Sequence, residues 1–201
     1  METISTGTAS PTIDQVYHIT AESLRESIEQ YGLAPNPERP SINMDRLVDG
    51  QRPPKIVDQG ISRVGAVFAH PDRRVLYLLD AMGRDTAGDQ PALVGIDVDP
   101  ETSLVYDAQS IDDAYLMLCV TEGDIEAALP SARSYWTNVV SLADFRRFYK
   151  LKKRDFSTSH RRVKAAPASM PASFSEPEVL LPGTVPPKKI HWLGAKALRA
   201  Y

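Results

Sequence analysis

Apolar and polar positions alternate along this chain in short blocks, and most blocks are too brief for anything but strands. Gln15-Val16-Tyr17-His18-Ile19 reads as a short strand, in which Tyr17 and Ile19 share one face and His18 takes the other. Thr20 is a good helix N-cap, and Leu24, Ile28 and Tyr31 fall at i, i+4 and i+7, the stripe of an amphipathic helix. Gly32 stands where a helix C-cap is wanted, and Pro35 and Pro37 prevent continuation. Residues 34–62 are rich in proline and poor in periodic apolar positions, which predicts a long connection with one short helix at Asn43–Val48.

The middle of the chain is more regular. Val64–Ala69 is a strand-like run, Pro71 suits the first position of a helix, and Val75, Leu76 and Leu79 give that helix a buried face. Ala92–Val98 is a strong strand ended by the turn Asp99-Pro100-Glu101-Thr102, with Leu104-Val105-Tyr106 as its expected hairpin partner. Ile111–Val120 fits strand and helix equally. Ile125–Leu129 predicts a short helix stopped by Pro130, and Tyr135–Tyr149 a further helical stretch through Leu142, Phe145 and Phe148. Glu178-Val179-Leu180-Leu181 and Ile190-His191-Trp192-Leu193 close the chain as two strands around a Pro-Gly turn. Strands with helices beside them, and no βαβ repeat, predict an α+β fold: a loose tail over 1–14 and one domain over 15–201.

Composition narrows the functional classes. The 201 residues are 42% hydrophobic and 24% charged, values of a globular chain, and the net charge of −3 gives no global attraction to nucleic acid or membrane. A single cysteine, Cys119, excludes a disulfide within the chain and a cysteine-rich zinc site. No secretory leader or apolar run long enough to span a bilayer is visible, so a cytoplasmic protein without membrane contact is expected. Charge is nevertheless clustered: Lys150–Lys164 holds seven Lys or Arg and one acid, with Tyr149 and Phe156 close by. This segment and the Pro/Ala/Ser-rich stretch after it are expected to form a basic loop over 150–175. Such a run is usually a solvated face, and otherwise attracts phosphates or an acidic protein.

Metal-binding spacings, nucleophile elbows and glycine-rich phosphate loops are missing, so candidate chemistry rests on scattered residues. His18 ends a strand, facing away from its packed neighbours; alone, it reads more readily as a core or surface histidine. Tyr77 alone reads as a packing residue. Glu178 heads a strand of Val and Leu, where a carboxylate is costly unless partnered or given a task. The bland alternative is an exposed acid paired with Lys188 or Lys189.

Taken in order, Tyr17-His18-Ile19-Thr20, then Gly65-Ala66-Val67-Phe68-Ala69 before a Tyr-bearing helix, then Pro177-Glu178-Val179-Leu180-Leu181-Pro182-Gly183 with Val185-Pro186-Pro187 and Ile190, resemble the ADP-ribosyltransferase superfamily. The branch it resembles carries a His-Tyr-Glu triad and includes small bacterial toxin-like transferases. The resemblance covers residues 15–110 and 176–194; the segment 120–175 lies outside it. It implies a split β-sheet core with flanking helices, NAD as substrate, no metal, and a macromolecular acceptor, protein or nucleic acid. It implies that His18 and Thr20 hold the adenosine-side ribose. Tyr77 would stack on nicotinamide beside Phe68 and Ala69, and Glu178 would stabilise the cationic sugar as nicotinamide leaves.

The chain departs from the pattern in places. His70-Pro71-Asp72-Arg73-Arg74 stands where many members have small hydroxyl residues, so His70 or Arg73 would contact nicotinamide or phosphates instead. Tyr106 is the alternative triad tyrosine. Glu176-Pro177-Glu178 matches the arginine-modifying E-x-E pattern, but His18 stands where those enzymes carry an arginine, and arginine is not inferred as the target. Three functions follow in order: a mono-ADP-ribosyltransferase, a non-catalytic module of the same fold, and an NAD-dependent RNA 2′-phosphotransferase.

Overall fold

The computed structural model describes residues 13–73, 89–154 and 157–198, and the fold is α+β. Two antiparallel half-sheets form its centre. One has the order β1 (Asp14–Ala21), β3 (Pro91–Val98), β10 (Ile190–Gly194). The other runs β2 (Ala66–Ala69), β9 (Pro177–Pro182), β4 (Leu104–Asp107), β5 (Val140–Ser141). They meet at one isolated bridge, where Tyr17 and His70 exchange backbone hydrogen bonds of 2.8 and 2.6 Å. The sheet is therefore continuous in order but split at a seam between β1 and β2.

Alternation sorts the strands' side chains into three cores. Between the half-sheets lie Val16, Val94 and Ile96 from one and Val67, Ala69, Val105 and Val179 from the other. On the far face of the second half-sheet, Ala66, Tyr106 and Leu180 pack on Val48 of α2 (Ile42–Asp49) and on Ala132, Tyr135 and Trp136 of α5 (Ile125–Thr137). Outside β1 and β3, Ile19 and Leu93 are covered by Ala197 and Leu198. Burying Val or Leu side chains contributes roughly 1.5–3 kcal/mol each, which makes the doubly covered second half-sheet the energetic centre.

Several expectations are corrected. Thr20 is not a cap: pairing with β3 continues to Ala21 opposite Pro91, so Thr20 sits in the ladder opposite Ala92. A 3-10 turn at Glu22–Leu24 then precedes α1 (Arg25–Tyr31), with no side-chain cap. Of the predicted stripe only Ile28 is buried; Leu24 is 48% and Tyr31 68% exposed. Gly32 does end the helix, at φ +85°, and its N–H reaches the Ile28 carbonyl. The long connection holds α2 as expected, plus a second helix, α3 (Pro54–Asp58).

The strand after the Asp99–Thr102 turn does not fold back on β3. It crosses to the other half-sheet, where β4 pairs with β9 and β5, because Val105 and Tyr106 are buried on its two opposite faces. The ambiguous segment is helical, α4 (Gln109–Val120). Pro130 does not stop its helix: α5 continues to Thr137 because Ala128, Ala132, Tyr135 and Trp136 bury one face, offsetting a proline cost of about 3 kcal/mol. The later helical stretch is broken by β5, and α6 (Leu142–Phe148) begins where Ser141 Oγ accepts the Asp144 N–H at 3.0 Å.

The basic segment is not a loop. It forms an antiparallel ribbon, β6 (Tyr149–Arg154) with β7 (Ser157–Arg162), extended by β8 (Ser173–Phe174). Tyr149, His160 and Phe174 are buried beneath it, whereas Lys150, Lys152 and Arg161 are exposed. Pro71, Asp72 and Arg73 form bends; the predicted helix through Val75, Leu76 and Leu79, with Tyr77, lies outside the described residues. No described helix is long and apolar enough to cross a membrane.

Candidate functional site

The seam between the half-sheets gathers two imidazoles. His18, on the inner face of β1, places Nδ1 2.6 Å from the Phe68 carbonyl oxygen. A carbonyl only accepts, so Nδ1 carries the hydrogen and Nε2 is left as an acceptor. Burial lowers the pKa of His18, opposed by that carbonyl bond, and the ring is neutral near pH 7. His70 follows directly after β2, with Nδ1 3.3 Å from the Pro177 carbonyl. Burial pushes its pKa down to about 4, and nearby His18 adds to the effect. The imidazoles thus tie β1 to β2 and β2 to β9.

The carboxylate of Glu178 lies on the other side of its strand. Glu178 pairs across the ladder with Tyr106 and shares the helix-facing side of β9 with Leu180, while Val179 faces the inter-sheet core. It is 6% exposed, not the surface acid that pairing with Lys188 or Lys189 would make it. Its Oε1 accepts from Arg63 Nη1 and, at 2.5 Å, from Tyr135 Oη. Oε2 makes no hydrogen bond among the described residues. Arg63 also donates from Nε to Asp45 Oδ1 at 2.6 Å, and Arg39 holds Asp45 Oδ2 at 2.7 Å.

Both guanidiniums lie 4.6 Å from the centre of the Phe68 ring. Burial opposes the charge of Arg63, but Glu178, Tyr135 and Asp45 outweigh it and its pKa rises. Burial, then Glu178, raises the pKa of Tyr135, which stacks on Tyr106 at 5.1 Å. A second acid stands at the edge of this network. Burial, then Asp112, Asp107, Glu178 and Asp113, lifts the pKa of Glu176 to about 7. Its backbone is fixed by Asp107, which accepts the N–H groups of Ser175 and Glu176 at 3.0 and 2.8 Å.

His18, Phe68, Ala69 and His70 therefore come together at the seam, with Ala69 fully buried and Thr20 buried on the same strand as His18. No hydrogen bond joins Glu178 to either histidine among the described residues. The link runs through the backbone instead, from His70 to the carbonyl just before Glu178. Arg63, Asp45 and Tyr135 are the polar residues that sequence reasoning missed. Arg63 stands alone ahead of an apolar run, and Tyr135 reads as one more packing aromatic at helical spacing. Neither type signals a buried ion pair without the fold. No protein-family model matches this chain, and no curated protein or solved structure matches it either.

Proposed function

We propose that this chain is a cytoplasmic NAD-dependent ADP-ribosyltransferase, moving ADP-ribose to a macromolecular acceptor with release of nicotinamide. The observation that carries this is the His18–Phe68 hydrogen bond at the seam, which fixes one tautomer and leaves Nε2 to accept a ribose hydroxyl. The split between half-sheets, with a buried glutamate heading the strand beside it, supports the same reading. As the bond between nicotinamide and ribose breaks, its electron pair leaves with neutral nicotinamide and positive charge develops on the sugar. A fixed carboxylate beside that charge lowers the barrier because it acts more strongly in the transition state than in the ground state. Glu178 takes this role through Oε2 while Arg63 and Tyr135 hold Oε1. Glu176, with a pKa near 7, suits the proton of the incoming nucleophile, a contribution of roughly 10²–10⁴-fold. Tyr77 lies outside the described residues, and its stacking on nicotinamide is part of this proposal.

One observation favours a second reading, a non-catalytic module of the same fold: Glu178 is already satisfied by Arg63 and Tyr135. Nicotinamide release from labelled NAD in the presence of a cell lysate separates the two. Glu178→Gln keeps an acceptor for Tyr135 and His18→Ala leaves the Arg63 network alone, so both are checked for folding by circular dichroism. Release that falls at least about 100-fold in both folded variants supports transfer. Wild-type chain that releases nothing with any lysate is a binding module.

A further inference from the structure

A cleft of about 620 Å³ opens beside the seam, and neither His18 nor Glu178 lines it. Its walls come from separate elements: Tyr17 of β1, Arg73 after β2, Arg146 of α6, Lys150 of β6 and His160 of β7. Cations thus converge on one concavity in a chain whose net charge is −3. Among the described residues, Asp72 is the only acid in the lining. Arg146 is held in place from behind, with Nε 2.6 Å from Asp14 Oδ2 and Nη2 2.5 Å from the Gln15 carbonyl.

His160 is the sharpest feature. It is 6% exposed, and neither ring nitrogen has a hydrogen-bond partner among the described residues. Nε2 lies 3.6 Å from Asp72 Oδ2, beyond hydrogen-bond range. A buried polar group left unpaired is costly, and an oxygen-rich ligand in the cleft would relieve that cost. From Lys150 on the cleft wall the charge continues outward: Arg161 is directly paired with it across the ribbon, both are exposed, and Lys152 follows two residues along.

We infer that this cleft and the ribbon face beside it bind the phosphate backbone of a single nucleic-acid strand. The concavity admits one phosphate with its sugar, and Tyr17 on the wall supplies a ring for an unstacked base, the pairing of charge and aromatic that single strands use. A duplex keeps its bases inside the stack, and the carboxylates of a folded acidic protein sit on a convex surface; neither fills the cleft. The inference rests on the transferase reading only for the strand's fate as acceptor. Binding itself needs no NAD.

The test is fluorescence anisotropy of the full chain with a short labelled oligodeoxynucleotide, without NAD. About three phosphate contacts give a log–log salt slope near −2. Lys150→Glu/Arg161→Glu, both exposed and away from the cores, is expected to weaken binding by about tenfold or more and to lower the slope by about 1.4. His160→Phe keeps the ring volume, loses both nitrogens and weakens binding without changing the slope. Unchanged affinity in the charge-reversed variant overturns the inference. So does equal affinity for the duplex of the same sequence or for a polyglutamate peptide. Competitive displacement by NAD would assign the cleft to the dinucleotide and overturn it as well. Strand binding without nicotinamide release from NAD with any acceptor leaves this site standing and removes the transferase; ADP-ribose transfer onto protein acceptors with no strand binding does the reverse.

Discussion

Replacing Arg63 by methionine tests the pairing on which the polar centre depends. The Arg63 side chain is 8% exposed and donates to Asp45, Glu178 and Tyr135. Its guanidinium also lies against the rings of Phe68 and Tyr135, at 4.6 and 4.8 Å. Methionine fills a similar volume but donates nothing. Asp45 would keep Arg39 and Ser41, whereas Glu178 would keep Tyr135 alone. Removing one partner of a buried ion pair costs about 3–5 kcal/mol, and the lost cation–π contacts add roughly 0.5–1 kcal/mol. The expected loss is about 4 kcal/mol, a large part of a total stability of about 5–15 kcal/mol.

With a urea dependence of roughly 2 kcal/mol per molar, the midpoint should fall by about 2 M. Trp136 emission reports it, since that ring is buried edge-on against Tyr135 at 4.8 Å. Circular dichroism provides the second probe for two-state behaviour. The double replacement Arg63→Met/Glu178→Leu, which removes the stranded charge, should recover much of the loss, giving a coupling of about 2–3 kcal/mol. A loss below about 1 kcal/mol for the single change, with the fold intact, would mean that the pair does not exist in solution and that Glu178 is free.

Other consequences follow from single observations. Gly32→Ala places a Cβ 2.1 Å from the Val185 carbonyl oxygen at φ +85°, so a loss of about 1–3 kcal/mol and a Tm lower by at least about 2 °C are expected in a thermal scan. The folded-state pKa of Glu176 is raised, so its stabilising contribution is complete below the unfolded value and lost as pH rises through about 7. Allowing for its partial exposure, wild type should lose on the order of 1 kcal/mol relative to Glu176→Gln between pH 5 and 8, read from urea midpoints. The pKa of His70 is depressed, so its contribution is present above pH 6.5 and lost as pH falls through about 4, up to about 3 kcal/mol. His70→Asn, whose amide still reaches the Pro177 carbonyl, should move the acid-unfolding midpoint to lower pH; an unmoved midpoint would show that His70 titrates normally.

The strands that could be read from the sequence are those whose signal is local. β1, β3, β9 and β10 are apolar or alternating runs bounded by turn residues, and each appears within two residues of its expected limits. What failed was partner choice. β4 follows a tight turn after β3 and invites a hairpin, but a hairpin would bury only one of Val105 and Tyr106, and the crossing to β9 buries both. In the basic ribbon the charges masked the pattern: Tyr149-Lys150-Leu151-Lys152 alternates with the period of a strand. At the site, His18 and Glu178 are weak signals taken singly, and only the resemblance singles them out. The residue that holds Glu178 is 115 positions away, and nothing near Arg63 marks it as a partner.

That partnership bears directly on what Glu178 is for. An apolar pair of similar volume in place of Arg63 and Glu178 would be neutral or more stable by about 1–4 kcal/mol, so stability alone does not account for the charges. Both donors to Glu178, Arg63 Nη1 and Tyr135 Oη, converge on a single oxygen, Oε1, which fixes the carboxylate's orientation while leaving Oε2 without a hydrogen bond among the described residues. A purely structural carboxylate gains most by using both oxygens. One that must face a transient positive charge gains by being held from behind and open in front, since an acid that does not reorganise stabilises that charge at the least cost. The burial that makes Glu178 expensive to keep is thus the same feature that would make it effective, and Arg63 and Tyr135 are the groups on which both properties depend.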